Sequence, residues 1–110
     1  MLALPGKPRI FIYQDYVNML KGFESLSALV EQHFPEPLTS GAFFVFLNRS
    51  RDRMKVLYWD SDGLAIWYKR LERGCFVRPP GGPMTIERRD FLMLLEGVTP
   101  KKIQQRFSVK

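Results

Sequence analysis

The residues most able to do chemistry in this chain are basic, and they gather between positions 49 and 78. That stretch holds eight basic and four acidic residues, which gives it a local net charge of +4. The first four of its cations stand at alternate positions, and alternate residues of an extended chain project to one face. Seven cations form the candidate binding set: Arg49, Arg51, Arg53, Lys55, Lys69, Arg70 and Arg73.

Three aromatic residues accompany these cations, namely Tyr58, Trp59 and Trp67. A nucleic-acid surface requires cations that neutralise phosphates and rings that stack on bases. The same pattern also fits an ordinary charged hairpin whose aromatic side chains are buried in the core. The residue types alone leave both interpretations open.

A second candidate site is acidic and consists of Asp60, Asp62 and Glu72. Two-metal nucleases hold their ions about 3.5–4 Å apart, so their ligands must lie close together. The run Asp-Ser-Asp-Gly is more typical of a β-turn, in which Asp side chains bond their own backbone and Gly63 supplies the left-handed dihedral. The sequence therefore predicts no metal site, and a metal-dependent nuclease would require the three carboxylates to converge.

The single histidine and the single cysteine offer no further catalytic set. His33 falls late in a predicted helix, where a cation suits the helix dipole, and no nucleophile accompanies it. Cys75 is predicted to be a small buried hydrophobic residue, and one cysteine allows neither an internal disulfide nor a cysteine-rich zinc site. We therefore expect a protein that is not an enzyme and uses no metal or other cofactor.

Hydrophobic periodicity predicts the elements that position these residues. Apolar residues at three- and four-residue spacing predict a helix over 19–34, capped by Asn18. A second helix is predicted over 86–96, capped by Thr85 and closed by Gly97. Short segments that alternate in polarity or are rich in β-branched and aromatic residues are predicted strands: 9–14, 42–48, 53–59 and 64–70.

The predicted fold class is α+β. Short links between the last three strands predict an antiparallel meander, because parallel strands need longer crossover connections. We expect a sheet of three or four strands, covered on one face by the main helix, with the second short helix near the C-terminus at an edge. Residues 1–98 form one predicted domain, and residues 99–110 form a basic tail with four cations and no acid, expected to be solvated.

Bulk composition limits the classes of function. The chain has 17 basic and 11 acidic residues, a net charge of +6 and a pI near 9.8. This excess favours polyanionic partners, and it also serves solubility. The chain reaches Pro5 too early for a signal peptide, and its longest apolar run, 42–47, is far shorter than the roughly 20 residues of a membrane span. We therefore expect a cytoplasmic protein with no membrane role and no small-molecule substrate.

Five stretches of the chain carry a recognisable family pattern: VNMLKGF at 17–23, SGAFFVF at 40–46, LYWDSDG at 57–63, WYKRLERG at 67–74 and LLEG at 94–97. They resemble the TnpB accessory proteins that are encoded beside the transposase of certain bacterial insertion sequences. That family is unrelated to the RNA-guided nuclease of the same name. The resemblance runs from about residue 9 to residue 98, and the block from 57 to 74 is its most specific part.

Two positions depart from the family pattern, which usually has an aspartate at position 18 and an arginine at position 20. Asn18 can still cap a helix, whereas Leu20 removes a basic group from the start of that helix.

The resemblance implies a part in transposition without the cutting and joining chemistry, which belongs to a separate transposase. It favours two partners: DNA, contacted largely at its phosphates, and the transposase of the same element. The alternative is a protein–protein interaction module that does not contact nucleic acid.

Overall fold

The computed structural model describes residues 8–78 and 85–97, so the predicted tail at 99–110 lies outside the described residues. A short 3₁₀ helix, Leu38–Ser40, precedes the second strand. No helix in the described part of the chain is long and apolar enough to cross a membrane. The other elements are, in chain order, β1 (Ile10–Ile12), α1 (Phe23–His33), β2 (Phe43–Leu47), β3 (Arg53–Asp60), β4 (Gly63–Arg70), β5 (Thr85–Ile86) and α2 (Arg88–Glu96).

The described strands form one five-stranded sheet in the order β4-β3-β2-β1-β5, so the fold is α+β as predicted. The predicted meander is confirmed, because β2 pairs antiparallel with β3 and β3 with β4. The remaining pairings make the sheet mixed: β1 lies parallel to β2, and the short β5 runs antiparallel to β1. A parallel pair needs a long connection, and α1 lies in the chain between β1 and β2.

One face of the sheet, called the α1 face below, is covered by the main helix as predicted. Leu26 and Val30 of α1 are fully buried there together with Phe34, which follows the helix. Phe34 meets the rings of Phe44 and Phe46 edge-on at centroid distances of 5.2 and 6.0 Å. The apolar stripe read from the sequence is therefore the surface that α1 buries.

The opposite face, called the α2 face below, is covered as well. Phe91 and Leu94 of α2 are buried in one cluster with residues of β1, β2 and β3, among them Ile10, Val45 and Val56. The prediction that the second helix packs at an edge is therefore wrong. The physical reason lies in β2, whose five residues are all buried, since a strand that is apolar on both sides needs cover on both faces.

The helices also begin later than predicted. Asn18 does not cap α1: its side-chain oxygen accepts from the Leu20 backbone N–H at 2.8 Å, and its carbonyl accepts from the Lys21 N–H at 3.0 Å. Those bonds close a turn before the helix, and Gly22 is the residue that precedes the first helical position. Asparagine competes for local backbone bonds in this way wherever a turn is available.

Thr85 likewise does not cap α2. It pairs with Phe11 in β5, and Glu87 precedes the first helical residue. The predicted end of α2 is confirmed, because Gly97 takes φ 68 just past the helix and donates its N–H to the Leu94 carbonyl at 3.1 Å. With ψ 168, this positive-φ conformation is one that glycine adopts without steric cost and that residues with a Cβ rarely adopt.

Candidate nucleic-acid interface

Two backbone segments meet at one end of the α1 face. After β1 the chain continues beside β2, where Tyr13 donates its N–H to the Val45 carbonyl and Val17 donates to the Leu47 carbonyl, both at 2.9 Å. This pairing brings residues 16–20 next to the loop that joins β2 to β3. The site is therefore built from a segment that follows a strand and from the loop of the neighbouring hairpin.

The β2–β3 loop is held by Asn48. Its side-chain nitrogen donates to the Asp52 carboxylate at 2.7 Å, and its side-chain oxygen accepts from the Arg53 N–H at 3.0 Å. Its carbonyl also accepts from the N–H of Arg51, which takes a left-handed φ of 60. These bonds fix the positions from which the side chains of Arg49 and Arg53 leave the backbone.

An open groove of about 670 Å³ lies between the two segments, and we call it the basic groove. A smaller hollow of about 250 Å³ adjoins it along β4, sharing Arg53 and Tyr68 and adding Arg70. Ten of the described residues line the basic groove, and none of these is acidic: Tyr16, Val17, Asn18, Met19, Leu20, Asn48, Arg49, Ser50, Arg53 and Tyr68.

Three arginines of the predicted set lie along this surface. The Arg49 guanidinium lies 5.9 Å from the centroid of the Tyr16 ring, and Arg53 donates from Nη1 to the Tyr68 hydroxyl at 3.4 Å. Arg70 forms an ion pair with Glu72 at 3.3 Å, in which both side chains are largely exposed. Exposed ion pairs of this kind are weak, so Arg70 can exchange Glu72 for another anion at little cost.

Lys55 lies on the α1 face with Arg53 and Arg70, but its ammonium is already bonded to backbone carbonyls. The residue is only 9% exposed, and its ammonium donates to the Met19 and Lys21 carbonyls at 2.9 and 2.8 Å. The same ammonium lies 4.9 Å from the centroid of the Tyr68 ring. Lys55 therefore fastens the segment before α1 to the sheet and underlies the groove wall.

Lys69 lies on the α2 face. It pairs with Met54, which is buried on that face, whereas its neighbour Tyr68 pairs with Lys55 on the α1 face. Its ammonium donates to the Leu95 carbonyl at 3.1 Å, at the C-terminal end of α2. A cation at that end of a helix satisfies a free carbonyl and suits the helix dipole. The structure therefore separates Lys69 from the arginines with which the sequence grouped it.

The last two predicted residues lie at the margins. Arg51 is half-buried in the β2–β3 loop, and its carbonyl accepts from the Phe76 N–H at 2.6 Å. Arg73 is exposed in the bend after β4. The structure thus brings Arg49, Arg53 and Arg70 together along one surface, with Arg51 and Arg73 beside it.

The exposed aromatic residues are not the predicted ones. Tyr58, Trp59 and Trp67 are all half-buried, and Tyr58 lies against Phe43 at a centroid distance of 5.1 Å. The rings at the basic groove are Tyr16 and Tyr68, which are 41% and 48% exposed. Strand alternation places Tyr68 on the opposite side from Trp67, and the register of β3 with β4 sets it beside Lys55.

Arg78 is a second residue that the sequence reading left out. Its guanidinium donates to the carbonyls of Tyr13 and Gln14 at 2.7 and 2.6 Å, and it lies 5.7 Å from the Tyr16 ring centroid. It therefore ties the end of the described 8–78 segment to the residues that lead into the groove. The contact joins positions more than 60 residues apart, and local sequence patterns carry no signal for such a pair.

The acidic candidates lie at the two ends of the β3–β4 hairpin. Asp60 and Asp62 are at its turn, while Glu72 follows the far end of β4, a strand length of roughly 25 Å away at about 3.3 Å per residue. Ser61, rather than Gly63, takes the left-handed φ of 60, which corrects the predicted turn chemistry. In the described residues no three His, Cys, Asp or Glu side chains are grouped to hold a metal ion. The convergence that a two-metal nuclease requires is not met.

Comparison with known proteins identifies the family. The chain belongs to the IS66 Orf2-like proteins, whose family model matches residues 8–105. The uncharacterized protein y4hO of Sinorhizobium fredii is 35% identical over 100 residues, which cover 89% of this chain and 87% of that protein. The uncharacterized protein y4jC of the same species is 29% identical over 100 residues, covering 89% and 86%. No solved structure matches the chain significantly. The chain is therefore a transposition-associated accessory protein.

Proposed function

We propose that this member of the IS66 Orf2-like family is a non-catalytic accessory factor that binds DNA in the cytoplasm during transposition, together with the transposase of its element. The observation that carries the proposal is the basic groove, where Arg49, Arg53 and Arg70 lie along a surface to which the described part of the chain contributes no carboxylate. Arg70 pairs with the exposed Glu72 carboxylate outside this lining, and cations on such a surface attract phosphates and release their counterions on binding. Family membership supports the transposition setting.

The arginines are better suited to phosphate contacts than the two lysines of the set. Lys55 and Lys69 already bond backbone carbonyls, whereas Arg49 lies exposed in the loop. Arginine forks also match phosphate oxygens in two-point geometry. We therefore assign the phosphate contacts to Arg49, Arg53 and Arg70 and a positioning role to the lysines.

The test is a titration of a fluorescent DNA duplex with the purified protein across a series of salt concentrations. If Arg49, Arg53 and Arg70 each contact one phosphate, the log–log salt slope is about −2.7, and Arg49→Ala with Arg53→Ala flattens it by about 1.8. The matched control replaces Arg88 and Arg89 of α2, which removes the same charge elsewhere. An unchanged slope in the groove variant, or an equal change in the control, contradicts the proposal.

The non-catalytic part of the proposal has its own test. Purified protein is expected neither to nick nor to join DNA that carries the element's ends, with magnesium or manganese present. The carboxylates that could act, Asp60 and Asp62, lie at a hairpin turn far from Glu72. Nicking that is lost in Asp60→Asn or Asp62→Asn would contradict this part.

A second candidate function is protein binding without nucleic acid, and one observation favours it. Leu92 and Met93 are exposed side by side on α2, away from the basic groove. A contiguous exposed apolar patch is typical of a surface that another protein covers, and these two adjacent residues are the candidate for such a patch on α2. Copurification with the transposase that is lost in Leu92→Ser with Met93→Ser, combined with no DNA binding by the wild type, would favour this candidate over the first.

A further inference from the structure

The basic groove has two unlike sides. Arg49 and Arg53 supply the charge on one side, while Met19 and Leu20 supply apolar surface on the other. Tyr16 and Tyr68 add exposed rings to the same groove. A ligand made of phosphates alone would contact only the charged side of this lining. A ligand that contacts both sides must have flat apolar faces as well as negative charge.

From this lining we propose that the basic groove binds a single-stranded segment of DNA, with unpaired bases stacked on Tyr68 and Tyr16 and phosphates on Arg49 and Arg53. The proposal rests on the DNA-binding function above and names the form of DNA that the groove takes. In a duplex the bases stack on one another and offer only their edges in the grooves. An unpaired strand offers base faces and phosphates together, as the two sides of this groove require.

Tyr68 is held as a stacking platform. Lys55 occupies a position 4.9 Å from its ring centroid, and Arg53 donates to its hydroxyl. The ring is nonetheless 48% exposed, so a substantial part of its surface is open to solvent. A ring that is oriented before the ligand arrives loses little conformational freedom when a base stacks on it.

Tyr16 completes the arrangement from the other backbone segment. It lies within 6 Å of two guanidinium groups, those of Arg49 at 5.9 Å and Arg78 at 5.7 Å. Arg78 is itself fixed by its bonds to the Tyr13 and Gln14 carbonyls. Arginine planes and tyrosine rings both stack on unpaired bases, so this cluster can hold a base beside the phosphate that Arg49 contacts.

The experiment compares three fluorescein-labelled ligands of equal length: a thymidine oligonucleotide, an abasic oligonucleotide with the same backbone, and a duplex. Wild-type protein is expected to bind the abasic strand about 100-fold more weakly than the thymidine strand, since stacking on each of the two rings is worth roughly tenfold. Equal affinity for the two strands would overturn the proposal, and this comparison needs no variant to fold.

The variants locate the effect. Tyr68→Ala is expected to weaken thymidine-strand binding about tenfold, while Tyr68→Phe, which keeps the ring, changes it less than twofold. Duplex binding, which the arginines carry, should fall by a smaller factor in Tyr68→Ala than thymidine-strand binding does. Met93→Ala, which removes a similarly exposed side chain from α2, is the matched control and should leave all three affinities unchanged.

The outcomes separate the two proposals. Duplex binding that depends on Arg49 and Arg53, with no effect of Tyr68→Ala on the thymidine strand, overturns the single-strand inference and leaves the DNA-binding function standing. Failure of the wild type to bind any of the three ligands overturns both. An equal loss with Tyr68→Phe and Tyr68→Ala would place the interaction at the hydroxyl and overturn the stacking role.

Discussion

The two faces of the β3–β4 hairpin carry similar side chains, but one face is covered by a helix and the other leaves a groove open. Each face has a lysine whose ammonium donates to backbone carbonyls. Lys55 of β3 donates to the segment before α1, and Lys69 of β4 donates to the C-terminal end of α2. On the α2 face the helix packs on the sheet, and its residue Phe91 is fully buried between the two. On the α1 face the segment held by Lys55 leaves the basic groove open beside Arg53 and Tyr68. The difference shows that exposure and bonding, not charge alone, decide which cations remain for a ligand.

The largest expected change in the free energy of unfolding is at Lys55, on the α1 face. Lys55→Met should lower the free energy of unfolding by about 2–4 kcal/mol, because two carbonyls that now accept from a charged donor lose it in a nearly buried place. Denaturant unfolding followed by circular dichroism measures it. Lys69→Met is the matched variant and should cost about 1 kcal/mol, since one bond is lost at a half-buried site. Equal costs would remove the contrast between the two lysines.

An intermediate effect is expected where α2 closes the opposite face. A Cβ at position 97 would lie 2.6 Å from Leu71 Cδ1, and Gly97 has a φ of 68. Gly97→Ala should therefore destabilise the protein by about 2 kcal/mol, from backbone strain and from displacement of the Leu71 side chain. Gly63→Ala, with nothing within 4 Å of the added atom, is the control and should change stability by less than about 0.5 kcal/mol. A neutral Gly97→Ala would mean that α2 shifts freely on the sheet.

The smallest effect on stability belongs to the residues assigned to the ligand. Arg49→Ala should alter the free energy of unfolding by less than about 0.5 kcal/mol, because the side chain is exposed and its contact with Tyr16 is at the surface. The same variant should weaken duplex binding and flatten the salt slope by about 0.9. Thermal unfolding and the salt titration on one preparation measure both. A large loss of stability would place Arg49 with the structural lysines instead.

Periodicity in the sequence was sufficient to predict most of the helices and strands. The meander of β2, β3 and β4 followed from short loops and alternation, and the buried stripe of α1 followed from its three- and four-residue spacing. The parallel pairing of β1 with β2 did not, because it is formed across an intervening helix and has no local signature. Asn18 misled because its side chain bonds a nearby backbone N–H in a turn, and Thr85 misled because it pairs with Phe11 in β5, a long-range contact with no local signature.

The candidate site was only partly predictable. Alternation along β3 grouped Arg53 with Lys55, and the structure keeps them on one face. The sequence could not tell that Lys55 would be buried under the segment before α1, or that Lys69 would meet the end of α2, because both contacts are long-range. Tyr16 was missed for the same reason, since its place beside Arg49 depends on the pairing of Val17 with Leu47.

The measurement that tests the account most directly follows backbone amide resonances of ¹⁵N-labelled protein during titration with a short DNA duplex. DNA binding at the groove predicts that the shifts concentrate in three segments, 16–20, 48–53 and 68–70, which meet at the basic groove. The amides of α2, Arg88–Glu96, lie on the opposite face and should move little. Shifts concentrated in α2, or no shifts at saturating DNA, would contradict the claim that the α1 face is the DNA-binding side.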